Sequence, residues 1–237
     1  MRHYYPMGIL RRGIGTMLLI TAAAMLWASA PASAADTIRA DVECCTFAPG
    51  PYFQDLGEIP TFENPPEANP HNVTSTVTGP DGDALFRSRT IGADDSTPVA
   101  GTQYLQAGAY PFFCTLHGAS MSGELIVEGD RGAVAARPSI RVSIPGQRLK
   151  KVRKSGKLRV RVKAKTASSG IRIGISRGKK EIASASRISL KAGTARTVKI
   201  KLNRKARKAI SKGRKVALSA TATVDFGKSS RARRSLR

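Results

Sequence analysis

From Leu158 to Lys165 apolar and cationic residues alternate without a break. Leu158, Val160, Val162 and Ala164 fall on one side, and Arg159, Arg161, Lys163 and Lys165 on the other. Successive strand side chains point to opposite faces, so a period of two dictates a half-buried strand. Ile171, Ile173 and Ile175 repeat the pattern, as do Ser139–Ile144, Thr197–Leu202 and Val216–Phe226. Ile182–Leu190 reads as a further strand. One helical interruption is expected, with Asn203 as N-cap, residues 204–212 as the helix and Gly213 as its stop. Ala206 and Ile210 would share its buried face. The C-terminal part of the chain is therefore read as a sheet structure with its cations on the solvent side.

The charge changes sign along the chain. Between Ala35 and Asp130 there are 3 Lys or Arg against 14 Asp or Glu, and between Arg131 and Arg237 there are 34 against 2. After Asp130 the only aromatic residue is Phe226. Two units with different core chemistry follow, an acidic one over residues 35–130 and a basic one over 139–237. A small-residue linker, 131–138, joins them. The opposite charges would allow the two units to dock.

Residues 1–34 read as a signal peptide. Arg2, Arg11 and Arg12 are the basic start, Ile14–Ala28 is the apolar run, and Ala32-Ser33-Ala34 is a small-x-small cleavage pattern. The run is short for about 20 membrane-spanning residues. The mature chain is expected to begin at Ala35 and to work outside the cytoplasm, secreted, periplasmic or wall-associated.

In the acidic unit short apolar pieces are separated by frequent Gly and Pro. Thr37–Val42, continued to Phe47, reads as a strand. Residues 49–60 read as an irregular connection and 64–70 as a loop. His71–Thr78, Thr102–Leu105, Tyr110–Phe113 and Glu124–Val127 read as strands. Many short strands without helical periodicity indicate a β-sandwich or small barrel, so the fold class is all-β.

The chemistry concentrates in Tyr110–Val127. Cys114, His117 and Met121 place a thiolate, an imidazole and a thioether on one loop between strands. That is a soft donor set suited to the Cu(I)/Cu(II) couple. The chain has three histidines; His3 leaves with the signal, so His71 is the candidate second imidazole. Cys44 and Cys45 leave several states open: a reduced pair, a vicinal disulfide or a second thiol site. A disulfide to Cys114 would destroy the copper site, so none is expected there. With both mature histidines taken, no Ser/His/Asp arrangement and no further copper centre can be assembled. The reading is of a non-enzyme.

Two segments carry a family resemblance. Pro70-His71-Asn72-Val73 resembles the first-ligand segment of plastocyanin. Gly108-x-Tyr110-x-Phe-Phe-Cys114-x-x-His117, with Met121 and Gly123, resembles the second. The resemblance, to plastocyanin-like cupredoxins, spans residues 35–130. It implies a Greek-key β-barrel holding one type 1 copper ion, with His71, Cys114 and His117 as strong ligands and Met121 as the long axial one. It also implies that Asn72 ties its loop to the backbone or hydroxyl near Thr115. Leu116 stands where plastocyanins commonly have proline, and the His117–Met121 gap is one residue shorter. The basic unit resembles the Ig-like sandwich modules appended to exported bacterial proteins. An exported single-electron carrier with a redox partner protein is expected. The alternatives are a copper buffer, or a surface-binding protein acting through its basic module on an anionic wall polymer or membrane surface. Nucleic acid is not an expected partner, because export removes it and no aromatics interleave the cations.

Overall fold

The computed structural model describes residues 35–42 and 45–237, so the signal-peptide reading and Cys44 lie outside the described residues. The fold is all-β, with two short helices. Its apolar residues gather in two clusters that share no member, one drawn from Ile38–Val127 and the other from Ile140–Leu236.

The first cluster lies between two sheets. β1 (Ile38–Arg39), β3 (Thr61–Asn64) and β5 (Asp95–Pro98) form one, with β1 parallel and β5 antiparallel to β3. The other, in the order β2-β7-β6-β4, comprises β2 (Tyr52–Leu56), β4 (Thr74–Ser75), β6 (Gly108–Cys114) and β7 (Gly118–Gly132). β2 runs parallel to β7, pairing Tyr52 with Leu125, and β6 runs antiparallel to it, pairing Tyr110 with the same residue. Phe112 is the hub of the core. Its ring lies 5.0 Å from Phe47, 6.0 Å from Tyr52 and 6.5 Å from Phe86.

Several sequence expectations in this part are corrected. The first strand stops at Arg39; Ala40 forms an isolated bridge with Phe47, and Cys45 has φ 82°. Cys45 is disulfide-bonded and Cys114 is free, which removes the readings with a reduced Cys45. Tyr52–Leu56 is a strand, not an irregular connection, because its partner β7 lies far along the chain and pairs across the flanking Gly and Pro. Thr102–Tyr104 is a 3₁₀ turn, not a strand, with the Thr102 hydroxyl donating to the carbonyls of Val99 and Glu58. Asp95 begins β5. It accepts from the Arg89 guanidinium at 3.0 Å and from the Ser96 N–H, which hold its carboxyl below the usual range.

The second cluster is enclosed by β8 (Ile140–Ser143), β9 (Lys157–Ala164), β10 (Ser168–Arg177), β11 (Lys180–Leu190), β12 (Ala195–Lys201), β13 (Val216–Thr223) and β14 (Ser230–Leu236). Two antiparallel sheets, β11-β10-β13-β14 and β12-β9-β8, contain them. β9 buries Leu158, Val160, Val162 and Ala164 and exposes every cation between them. Two helices accompany the sheets, α1 (Leu149–Ser155) and α2 (Arg204–Ser211). The Asn203 side chain caps α2 by accepting from the Ala206 N–H at 2.8 Å. α1 and β14 are not among the expected elements. Only Leu149 and Val152 are buried in α1, amid lysines and arginines, and only Leu236 is buried in β14.

The parts meet at a contact that inverts the bulk charges. β13 ends at Thr223, short of the expected Phe226, and Asp225–Phe226 turns toward the acidic part. Arg87 pairs with Asp225 at 3.3 Å and lies over the Phe226 ring, 4.8 Å from its centroid. The Phe226 N–H donates to Asp81 at 2.7 Å. Thus an arginine of the acid-rich part meets an aspartate of the arginine-rich part.

Candidate metal centre

The site is built where the 65–70 loop and the β6–β7 turn come together. His71 is set by backbone pairing: its N–H donates to the Ile91 carbonyl at 3.0 Å, and the Ile91 N–H returns to the His71 carbonyl at 2.9 Å. The Asn64 side chain donates to the Asn69 carbonyl at 2.8 Å, bracing the same loop. The imidazole is fully buried, and its Nε2 has no hydrogen-bond partner. Burial, and secondarily the neighbouring His117, push its pKa down, which favours the neutral ring that can act as a ligand.

Cys114 ends β6 with its thiol buried. The chain then turns in three residues: the His117 N–H donates to the Cys114 carbonyl at 3.2 Å, and the Ser120 hydroxyl to the His117 carbonyl at 2.7 Å. Gly118 closes the turn at φ 64°, a left-handed conformation that disfavours any side chain. His117 is half-buried, and Leu116 beside it is 55% exposed. Met121, fully buried on β7, belongs to the same apolar cluster as Cys114.

His71, Cys114 and His117 converge. The two Nδ1 atoms are 3.1 Å apart, and the Cys114 Sγ lies 3.9 Å from the His71 Nδ1. One ligand atom from each of the three residues falls within 4.8 Å of the others. Consider an ion about 2.0 Å from each nitrogen and about 2.3 Å from the sulfur. The N···N separation then subtends roughly 100° and the N···S separation roughly 130°, one below the tetrahedral angle and one above the trigonal, both within the spread of a distorted three- or four-coordinate site. One thiolate and two imidazoles at these spacings therefore fit a single soft or borderline metal ion.

Asn72 locks the two ligand segments together. Its Oδ1 accepts from the Thr115 N–H at 3.0 Å and from the Thr74 hydroxyl at 3.1 Å. Its Nδ2 donates to the Thr115 hydroxyl at 2.8 Å and the Thr90 hydroxyl at 3.0 Å. Thr74 and Thr90 were not expected from sequence. Neither has a spacing that marks it, and Thr90 reaches the site through the isolated His71–Ile91 bridge.

No protein-family model matches the chain, and no curated protein does. Solved structures do resemble it. Auracyanin A, a "blue" copper protein from the green thermophilic photosynthetic bacterium Chloroflexus aurantiacus, is 20% identical with a TM-score of 0.33, over 39% of this chain and 97% of that one. Amicyanin from Paracoccus versutus is 29% identical with a TM-score of 0.32, over 43% of this chain and 87% of that one. A reduced amicyanin variant is 27% identical with a TM-score of 0.32, over 41% and 85%.

Proposed function

We propose that the chain binds one copper ion through His71, Cys114, His117 and Met121 and carries single electrons outside the cytoplasm. The observation that carries this is the convergence of two imidazole Nδ1 atoms and a free, buried thiol at one pole of the sandwich. Bound copper would supply the Cu(I)/Cu(II) couple. The protein's part is to hold its ligands still and to offer a route out. Asn72 fixes the Thr115 segment against the His71 loop, which limits rearrangement between oxidation states. His117 reaches the surface beside exposed Leu116, an apolar shoulder on which a redox partner protein can dock without displacing charge. Voltammetry of the copper-loaded chain is expected to give one reversible one-electron wave. Tight copper binding with no such wave would leave copper buffering as the function.

A second reading concerns the basic module, taken as Ig-like. Adjoining concavities on it are lined by Arg148, Lys151, Lys157, Arg159, Lys199 and Arg234, and no Asp or Glu side chain lines them. The five ion pairs among the described residues engage Arg39, Arg87, Arg89 and Arg172 instead. The groove floor is rigid: the Gln147 side chain donates to the Arg159 carbonyl at 2.8 Å and accepts from its N–H at 3.0 Å. A linear anionic wall polymer fits this groove, and such attraction weakens with salt. The full chain should be retained on immobilised wall polymer at low salt and released at high salt. The double variant Lys151→Glu/Arg159→Glu should not be retained. Equal retention of the variant would overturn this reading, and preference for anionic vesicles would move it to a membrane surface.

A further inference from the structure

The end of β7 remote from the Cys114–Gly118 turn holds a second group of ligating side chains. Asp55 on β2 and Glu128 and Asp130 on β7 bring carboxylate oxygens within 4.8 Å of one another. Asp55 lies opposite Glu128 in the parallel register, and the next pair is Leu56 with Gly132. The intervening β7 residues form a bulge at this point, and bulges re-aim side chains. The strand ends are closed tightly: a side chain on Gly57 would strike the Ala133 carbonyl, and one on Gly132 the Leu56 carbonyl.

The independent sign of a ligand is Asp55 itself. It is 5% exposed, yet its Oδ1 has no hydrogen-bond partner. The two oxygens of one carboxylate are neighbours, so the orphan oxygen lies within or directly beside the acidic group. Among the described residues none of the three acids is in an ion pair. The nearby Glu58 adds a further negative charge, its Oε2 accepting from the Asp55 N–H at 2.9 Å. A buried carboxylate grouped with two others, and with no cation paired to it, is stabilised by a bound cation.

We propose that Asp55, Glu128 and Asp130 form a divalent cation site of the calcium class. All its donors are hard oxygens, which select calcium over copper or zinc. The two exposed acids leave room for water ligands, and calcium accepts such irregular surroundings more readily than magnesium does. Bound there, the ion ties β2 to the bulge of β7 just before the chain leaves for the second module. The site shares no residue with the His71–Cys114–His117 cluster and does not depend on its function.

The test is calorimetric titration of the full mature chain, treated with chelator and then dialysed, with calcium chloride and separately with magnesium chloride. A single saturable calcium site is expected, with a Kd of about 0.1–1 mM, as in extracellular calcium modules. Magnesium should bind more weakly. Saturating calcium should raise Tm, and it should do so equally in a Cys114→Ser background. Asp55→Asn should abolish the binding and the Tm rise, and Asp130→Asn, at an exposed position, should weaken binding at least tenfold. No saturable heat up to 20-fold above the expected Kd, or unchanged affinity in Asp130→Asn, would overturn the proposal. The Asp130→Asn result decides it even if Asp55→Asn does not fold.

Discussion

With copper held as proposed, replacing Cys114 by serine should abolish the intense visible absorption expected of the copper(II)-loaded chain. The band arises from charge transfer out of a thiolate, and Cys114 is the only free cysteine among the described residues. Serine nearly preserves the volume, so the β6–β7 turn should persist. Its hydroxyl, however, does not ionise near neutral pH and is a hard donor. The loss should extend to stability. A ligand at a thousand times its Kd stabilises the native state by about 4 kcal/mol, and the variant should lose nearly all of that. Asn72→Ala provides the contrast. It removes the clamp on Thr115 but leaves every donor, so the colour should remain while copper affinity falls about 10–100-fold. A native protein that stays colourless with copper(II), or a Cys114→Ser variant that keeps the band, would remove the copper assignment.

That contrast follows the division between what the sequence shows and what only the fold assembles. Cys114, His117 and His71 were legible because thiols and imidazoles are scarce in this chain and cannot be mistaken for packing. β9 was legible because its two faces carry opposite chemistry at every step. The clamp partners were not. Thr74 and Thr90 are ordinary polar residues until the His71–Ile91 bridge brings their segments together. The acidic group was hidden in the same way, because Asp55 and Glu128 come from strands far apart in sequence that meet only through parallel pairing. α1 was masked by composition, since two buried residues among cations give too little periodicity to register. The charge contrast between the two parts was legible, but not how they touch. Arg87, Asp225 and Phe226 make that contact against the average charge of their own surroundings.

Phe112→Ala should cost about 3–5 kcal/mol, the range for emptying a large aromatic from a closed core. Phe112 is fully buried and makes ring contacts with Phe47, Tyr52 and Phe86. Phe86 is remote in sequence from Phe47 and Tyr52, so the void is walled by separate segments and does not close by the shift of one. The measurement is weighted toward this core, because Tyr52 belongs to it and Tyr110 packs against it, while Tyr104 lies against Phe226. A tyrosine-fluorescence urea transition should therefore move to lower denaturant with little change in slope. The register supplies a sharper test. Phe112 pairs with Gly123, and a Cβ on Gly123 would come 2.6 Å from the Phe112 Cζ. Gly123→Ala alone should then destabilise by about 1–3 kcal/mol through overpacking. In Phe112→Ala the same methyl would enter the vacated space. The double variant should accordingly be more stable than the two single costs predict, by about 0.5–3 kcal/mol, the range found for residues in contact. Strict additivity would mean that Phe112 does not fill the space over Gly123, and the strand carrying Cys114 would lose its principal packing support.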